Sequence, residues 1–232
     1  MLTMVLIILT LLVFNYLSGE TLPLPPDNYL APGAGFSSDN PYLINNLAHL
    51  RWLSETPEAW GGDLPVYFQQ TADIDADETK EWNQGDGFIP IALNSKEIVD
   101  GIIVSESSPV FSANFDGNGF SVFNLSINIQ QKENLHHVVG FFSHITASNL
   151  LNIHLVNLQV YGQEVTGGLV GIAENSTIEF SSTNGKIITN NLVRQVGGIM
   201  GMMSNTKLEK SFSSVLISTN HQNLITNNSE IA

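Results

Sequence analysis

Apolar positions in this chain recur in blocks that copy one another. Val139-Gly140-Phe141-Phe142, Gly167-Gly168-Leu169-Val170-Gly171 and Gly197-Gly198-Ile199-Met200-Gly201 are variants of one segment. Leu150, Ile178 and Leu208 each lie ten positions after Gly140, Gly168 and Gly198, and the copies are spaced by 28 and 30 residues. A period in this range marks stacked units, each too small to bury its own apolar face. Each unit reads as a strand, a small or polar corner and a second strand, with glycine where backbone bends sharply or approaches closely. Apolar residues at equivalent positions then form internal ladders, expected to include Phe115, Val122, Leu125, Ile127, Val139, Phe141, Leu150, Leu169, Ile178, Ile199 and Leu208. The alternative is an antiparallel sandwich, whose turn signals recur about every 8–12 residues without copying the strands.

Upstream of the copies the pattern changes. Leu47, Leu50 and Leu53 recur at three-residue spacing behind Asn45 and Asn46, which are good N-caps, so a short amphipathic helix is expected around Asn46–Leu53. A helix ahead of a strand stack can cover its first rung. Strands are expected at 66–71, 88–92, 109–115 and, from nine alternating positions, 121–129. Asp116-Gly117-Asn118-Gly119 is a turn built of residues that tolerate positive φ. Beyond Arg51 no long segment carries capped helical periodicity.

The first seventeen residues are uncharged and almost wholly apolar, and small and proline-rich residues follow. This is the pattern of a cleavable export signal ending near Gly19, although no Lys or Arg precedes the run. A retained membrane anchor, needing about 20 apolar residues, is the alternative. Either places the remainder outside the cytoplasm. The chain has no cysteine, so stability must come from packing and backbone ladders. Of its net charge of −14, a balance of −13 lies in residues 1–116 and −1 beyond them. Such a surface repels nucleic acid and anionic lipid.

The repeat cores Gly167-Gly168-Leu169-Val170-Gly171 and Gly197-Gly198-Ile199-Met200-Gly201 resemble the GLUG repeat of bacterial surface proteins. Thr71-Ala72-Asp73-Ile74-Asp75, Phe88-Ile89-Pro90-Ile91 and Phe115-Asp116-Gly117-Asn118-Gly119 resemble segments that precede such repeats, so the likeness runs from about Asn40 to Ser218. It implies an all-β, right-handed parallel β-helix on a secreted or cell-surface, adhesin-like protein. Similar segments also flank the catalytic parts of some immunoglobulin-cleaving metallopeptidases. The first copy lacks the final glycine, and the third carries Met200, Met202 and Met203. The expected partition is a signal over 1–19, a linker or loose arm over 20–38, and a helical cap over 39–65. The β-helix follows over 66–218, with repeats near 139–162, 167–188 and 197–218, then a polar tail over 219–232. The short array suggests a truncated or divergent member, prone to self-association through its C-terminal rung.

Candidate chemistry is sparse. Asp73, Asp75 and Asp77 alternate, and in an extended chain would put three carboxylates on one side, a conceivable Ca²⁺ site. Glu78 and Gln84 stand where an EF-hand loop needs Gly and Glu, so a solvated acidic turn is the plainer reading. Asp116 with Asp73 or Asp75 could pair as acid and base in a polysaccharide-active hydrolase or lyase. Asp116 also suits capping its own turn. His49, His136, His137, His144, His154 and His221 form no zinc motif, and no phosphate loop is present. The expectation is therefore a non-catalytic binding protein without cofactor or metal, whose partner is an extracellular protein or glycan and not nucleic acid.

Overall fold

The computed structural model describes residues 19–99, 102–129, 135–190 and 193–219. The expected signal before Gly19 and the tail beyond Thr219 lie outside the described residues.

Strand β1 (Tyr42–Ile44) leads into helix α1 (Leu47–Glu55), which Asn46 caps by accepting from the His49 amide. Strands β2 (Tyr67–Gln70) and β3 (Ile74–Asp75) follow. A 3-10 stretch at Asp77–Gly85, interrupted by non-helical Trp82, Asn83 and Gln84, stands where no helix is expected. Next come β4 (Asn94–Val99), β5 (Ile102–Ser107), β6 (Asn114–Asp116), β7 (Ser121–Phe123) and β8 (Ser126–Asn128). The nine-residue strand expected over 121–129 is broken at Asn124, whose φ of 58° turns a corner and brings Leu125 inward. The 88–92 strand reduces to one isolated bridge, Ile91 to Phe142.

Three circuits of four strands complete the described chain. The first is β9 (Leu135–Val139), β10 (Phe142–Thr146), β11 (Asn149–Leu151) and β12 (His154–Gly162). The second is β13 (Val165–Gly167), β14 (Val170–Glu174), β15 (Thr177–Glu179) and β16 (Ser182–Thr189). The third is β17 (Gln195–Gly197), β18 (Met200–Ser204), β19 (Lys207–Glu209) and β20 (Phe212–Thr219). Each strand pairs in parallel with its counterpart one circuit on: Leu150 with Ile178 and Ile178 with Leu208, for example. Parallel register excludes antiparallel hairpins here. One sheet runs β1-β2-β6-β11-β15-β19, and the antiparallel exceptions are β4 with β5 and with β9. The class is all-β, with parallel sheets and little helix.

Corners explain the repeat pattern. A Cβ at Gly168 would collide with the Gly198 carbonyl oxygen, and one at Gly140 would meet the Gly171 amide at 2.7 Å. Elsewhere the backbone is tied through hydroxyls. Ser176 accepts from the Ser148 amide, Thr206 from the Ser176 amide and Ser211 from the Ser181 amide. Each of these hydroxyls also donates to a carbonyl two residues earlier. Buried polar backbone is thereby satisfied from one circuit to the next.

The interior holds an aromatic spine at its N-terminal end. Tyr42, Phe68, Phe111 and Phe142 follow one another at ring separations of 5.5, 6.3 and 4.9 Å, and Phe141, Phe88 and Trp82 continue at 5.8 and 6.4 Å. Aliphatic Leu169, Val170, Ile178 and Ile187 take over in the second circuit. Ten of the eleven expected ladder residues are buried; Leu208 is partly exposed because no further circuit lies over it among the described residues. Segment 20–38, expected as a linker or loose arm, makes specific contacts. Asn28 bonds to Pro41 and Leu43, Leu24 to Ala48, and Arg51 to the Thr21 carbonyl. Helix α1 buries Leu50 and Leu53, and Trp60 donates to the Leu53 carbonyl.

Candidate functional site

The six-stranded sheet turns Phe68, Phe115, Leu150, Ile178 and Leu208 toward the core, and strand alternation sends their neighbours outward. Two rows result. One carries Gln69, Asp116, Leu151, Glu179 and Glu209; the other carries Tyr67, Asn114, Asn149, Thr177 and Lys207. A groove of about 330 Å³ lies along these rows, with Ser38 and Pro41 among its lining residues.

The polar groups are ordered by bonds between strands. Asn114 Oδ1 accepts from both the backbone and the side chain of Asn149. Asp116 Oδ1 accepts from the Asn118 amide, as expected for its turn, and from Asn152 Nδ2. Lys207 lies 2.9 Å from Glu209 and 3.5 Å from Glu179, offsetting the repulsion of two neighbouring carboxylates. Its hydrogen bond holds the Glu209 carboxyl below the usual range and raises the Lys207 ammonium in turn. The face therefore offers amides, carboxylates and one phenol at intervals set by the strand spacing of about 4.8 Å.

The three alternating aspartates do not converge. Asp73 accepts from the Ser121 amide, and Asp75 from Asn124 and the Asp77 amide. Asp77 opens the 3-10 stretch and pairs with Lys80 at 2.7 Å. No group of three or more His, Cys, Asp or Glu suited to a metal occurs among the described residues. Asp116 lines the groove, whereas Asp73 precedes β3 and Asp75 ends it, in a different sheet. The histidines are dispersed: His144 lies 3.4 Å from Glu174, and His154 bonds Ser182. Of the groove residues only Asp116 stands out in the sequence as chemistry. The signal for the others was available, since residues flanking Leu150, Ile178 and Leu208 must face outward.

No family model matches the chain. It is 30% identical over 190 residues to Halomucin of Haloquadratum walsbyi (strain DSM 16790 / HBSQ001), an alignment covering 80% of this chain and 2% of that protein. The chain thus spans a small fraction of the relative's length. A solved Bacteroides ovatus structure, provisionally described as an immunoglobulin A1 protease, is 14% identical with a TM-score of 0.25. It covers 81% of this chain and 79% of that one, and at that score carries no argument here.

Proposed function

We propose that this chain is a non-catalytic, adhesin-like binding module of a secreted or cell-surface protein. In this reading the circuits form a right-handed parallel β-helix of GLUG-like repeats, and the grooved sheet face contacts an extracellular protein or glycan. The observation that carries it is the groove itself, lined by two in-register outward rows from Tyr67 to Glu179 on a parallel sheet. Repeated polar positions at one spacing suit an extended, repeating ligand. The apolar N-terminal run and the likeness to Halomucin support the surface setting.

A polysaccharide-active enzyme is the second reading, favoured by Asp116 and Glu179 lining one groove two strands apart. That separation is ~9.6 Å between backbones, near the wide limit for inverting carboxylate pairs. The test is binding of the purified chain to immobilised polysaccharides and surface-protein preparations, with reducing-sugar release measured in parallel. Tyr67→Ala and Glu179→Lys should each weaken binding about tenfold, equivalent to ~1.4 kcal/mol, while Lys186→Glu on another sheet leaves it unchanged. Binding indifferent to both groove substitutions would refute the assignment of the face, and turnover lost in Asp116→Asn would establish the enzyme.

A further inference from the structure

Three segments of the chain read Asn-x-Ser/Thr with no proline between: Asn124-Leu125-Ser126, Asn175-Ser176-Thr177 and Asn227-Asn228-Ser229. This is the acceptor pattern for sugar on an asparagine side chain in secreted proteins. Asparagine-rich corners also produce it by chance, so the surroundings of each asparagine decide what it can do. The last of the three lies outside the described residues. The other two end separate asparagine ladders, and the ladders end differently.

Asn124 is half-buried and held at both arms of its amide. Its Oδ1 accepts from Asn157 at 2.7 Å, and its Nδ2 donates onward to Asp75 at 3.0 Å. Asn175 is exposed at the corner between β14 and β15, with a φ of 49°. Its Oδ1 accepts from Asn205 of the next circuit at 2.8 Å. The corner before it in the stack is Ala147, because Thr146 pairs with Glu174. Alanine offers no side-chain acceptor, and among the described residues Asn175 Nδ2 donates to nothing. Its nitrogen is therefore open to reaction, whereas that of Asn124 is occupied.

The fold accounts for two members of the exposed triplet. Asparagine tolerates the positive φ of the corner, and Ser176 is one of the hydroxyls that tie circuit to circuit. It does not account for the third. Thr177 faces outward in register with Asn149 and Lys207, so no hydroxyl is required there. Its own makes no hydrogen bond among the described residues. We propose that Asn175 is an N-glycosylation site. The donor is an oligosaccharide joined through phosphate to a membrane lipid, and a separate transferase is the catalyst. Nδ2 attacks the anomeric carbon of the sugar. The nitrogen–carbon bond forms, the carbon–oxygen bond to phosphate breaks, the lipid phosphate leaves, and one amide proton passes to a base of the transferase. Asn175 is not among the residues that line the groove. Such acceptors are modified in secreted proteins, so the proposal rests on the surface reading above.

Peptide mass spectrometry of the chain recovered outside its own cells tests this. A sugar adduct is expected on the peptide carrying Asn175, and none on the peptide carrying Asn124. Asn175→Gln and Thr177→Val should each abolish the adduct, whereas Thr177→Ser and Asn124→Gln should retain it. Because Thr177 faces outward, its two substitutions separate loss of the acceptor pattern from damage to the corner. An extracellular chain bare at Asn175, or an adduct that survives Thr177→Val, overturns the proposal and leaves the binding reading intact. Sugar on Asn124 would overturn it as well. A chain found only in the cytoplasm overturns both.

Discussion

Arg51 and Glu20 lie 3.2 Å apart with only 4% and 5% of their side chains exposed. Around them the guanidinium bonds to Glu55 and the Thr21 carbonyl and sits 4.5 Å from the centre of the Trp82 ring. Glu20 also accepts from the Asn83 amide. One ion pair thus joins the N-terminal arm, the helix and the 3-10 stretch.

Removing one partner of a buried pair leaves the other charge without compensation. Glu20→Gln should destabilise by about 3 kcal/mol, at the lower end of the range for buried pairs because Glu55 remains. Urea unfolding should show a lower midpoint with an unchanged slope. A double replacement of Glu20 and Arg51 by methionine should recover much of the loss.

Gly168 is tested by size alone. Its missing Cβ makes room for the Gly198 carbonyl of the next circuit. Gly168→Val should cost about 2 kcal/mol or more, a large effect for one residue and one tied to a backbone collision. Thermal melts of Gly168→Val beside Gly62→Val, where a Cβ meets open space, separate collision from a general dislike of valine.

Phe142 is fully buried and contacts Phe111, Phe115 and Phe141 at ring separations of 4.9, 5.9 and 4.9 Å. Phe142→Ala should cost about 3–5 kcal/mol, as truncation of a core aromatic usually does. Leu216→Ala, at a site 70% exposed, should change monomer stability by less than about 0.5 kcal/mol. Chemical denaturation of the two variants at low concentration makes the comparison.

Asp75 should titrate below the ordinary value of 3.8, because the Asn124 side chain and the Asp77 amide donate to its charged form. A carboxyl lowered in the folded state stabilises above its unfolded value, and that contribution disappears as pH falls through the folded value. The site is exposed, so the effect on stability is small. Carboxyl-resolved NMR titration should find Asp75 moving up toward 3.8 in Asn124→Ala.

Much of the stack was legible because copying leaves marks at fixed distances. Gly140, Gly168 and Gly198, with Leu150, Ile178 and Leu208, predict register before any coordinates exist. The helix was legible through Asn46 and its leucines. Other features depend on partners remote in sequence. Asn124 breaks a run that alternates well locally, because its corner stacks on Asn157, which donates to it at 2.7 Å. The 3-10 stretch after Asp77 has no apolar period to announce it. Thr79 makes it a brace by accepting from the Ser126 amide 47 residues away. The groove was hidden for a different reason: its residues are ordinary Tyr, Asn, Thr and Glu, significant only once strands align them.

The 28- and 30-residue register also governs how the molecule would respond to tension. Each circuit adds only about 4.8 Å of stack height, yet thirty residues drawn out straight span about 100 Å. Force applied between the two ends of the described stack would release its circuits one at a time, since each is held by parallel pairing to its neighbour. Every release lengthens the tether roughly twentyfold over the height surrendered. A protein so arranged yields in steps under shear, dissipating load while the aromatic-filled part keeps its shape.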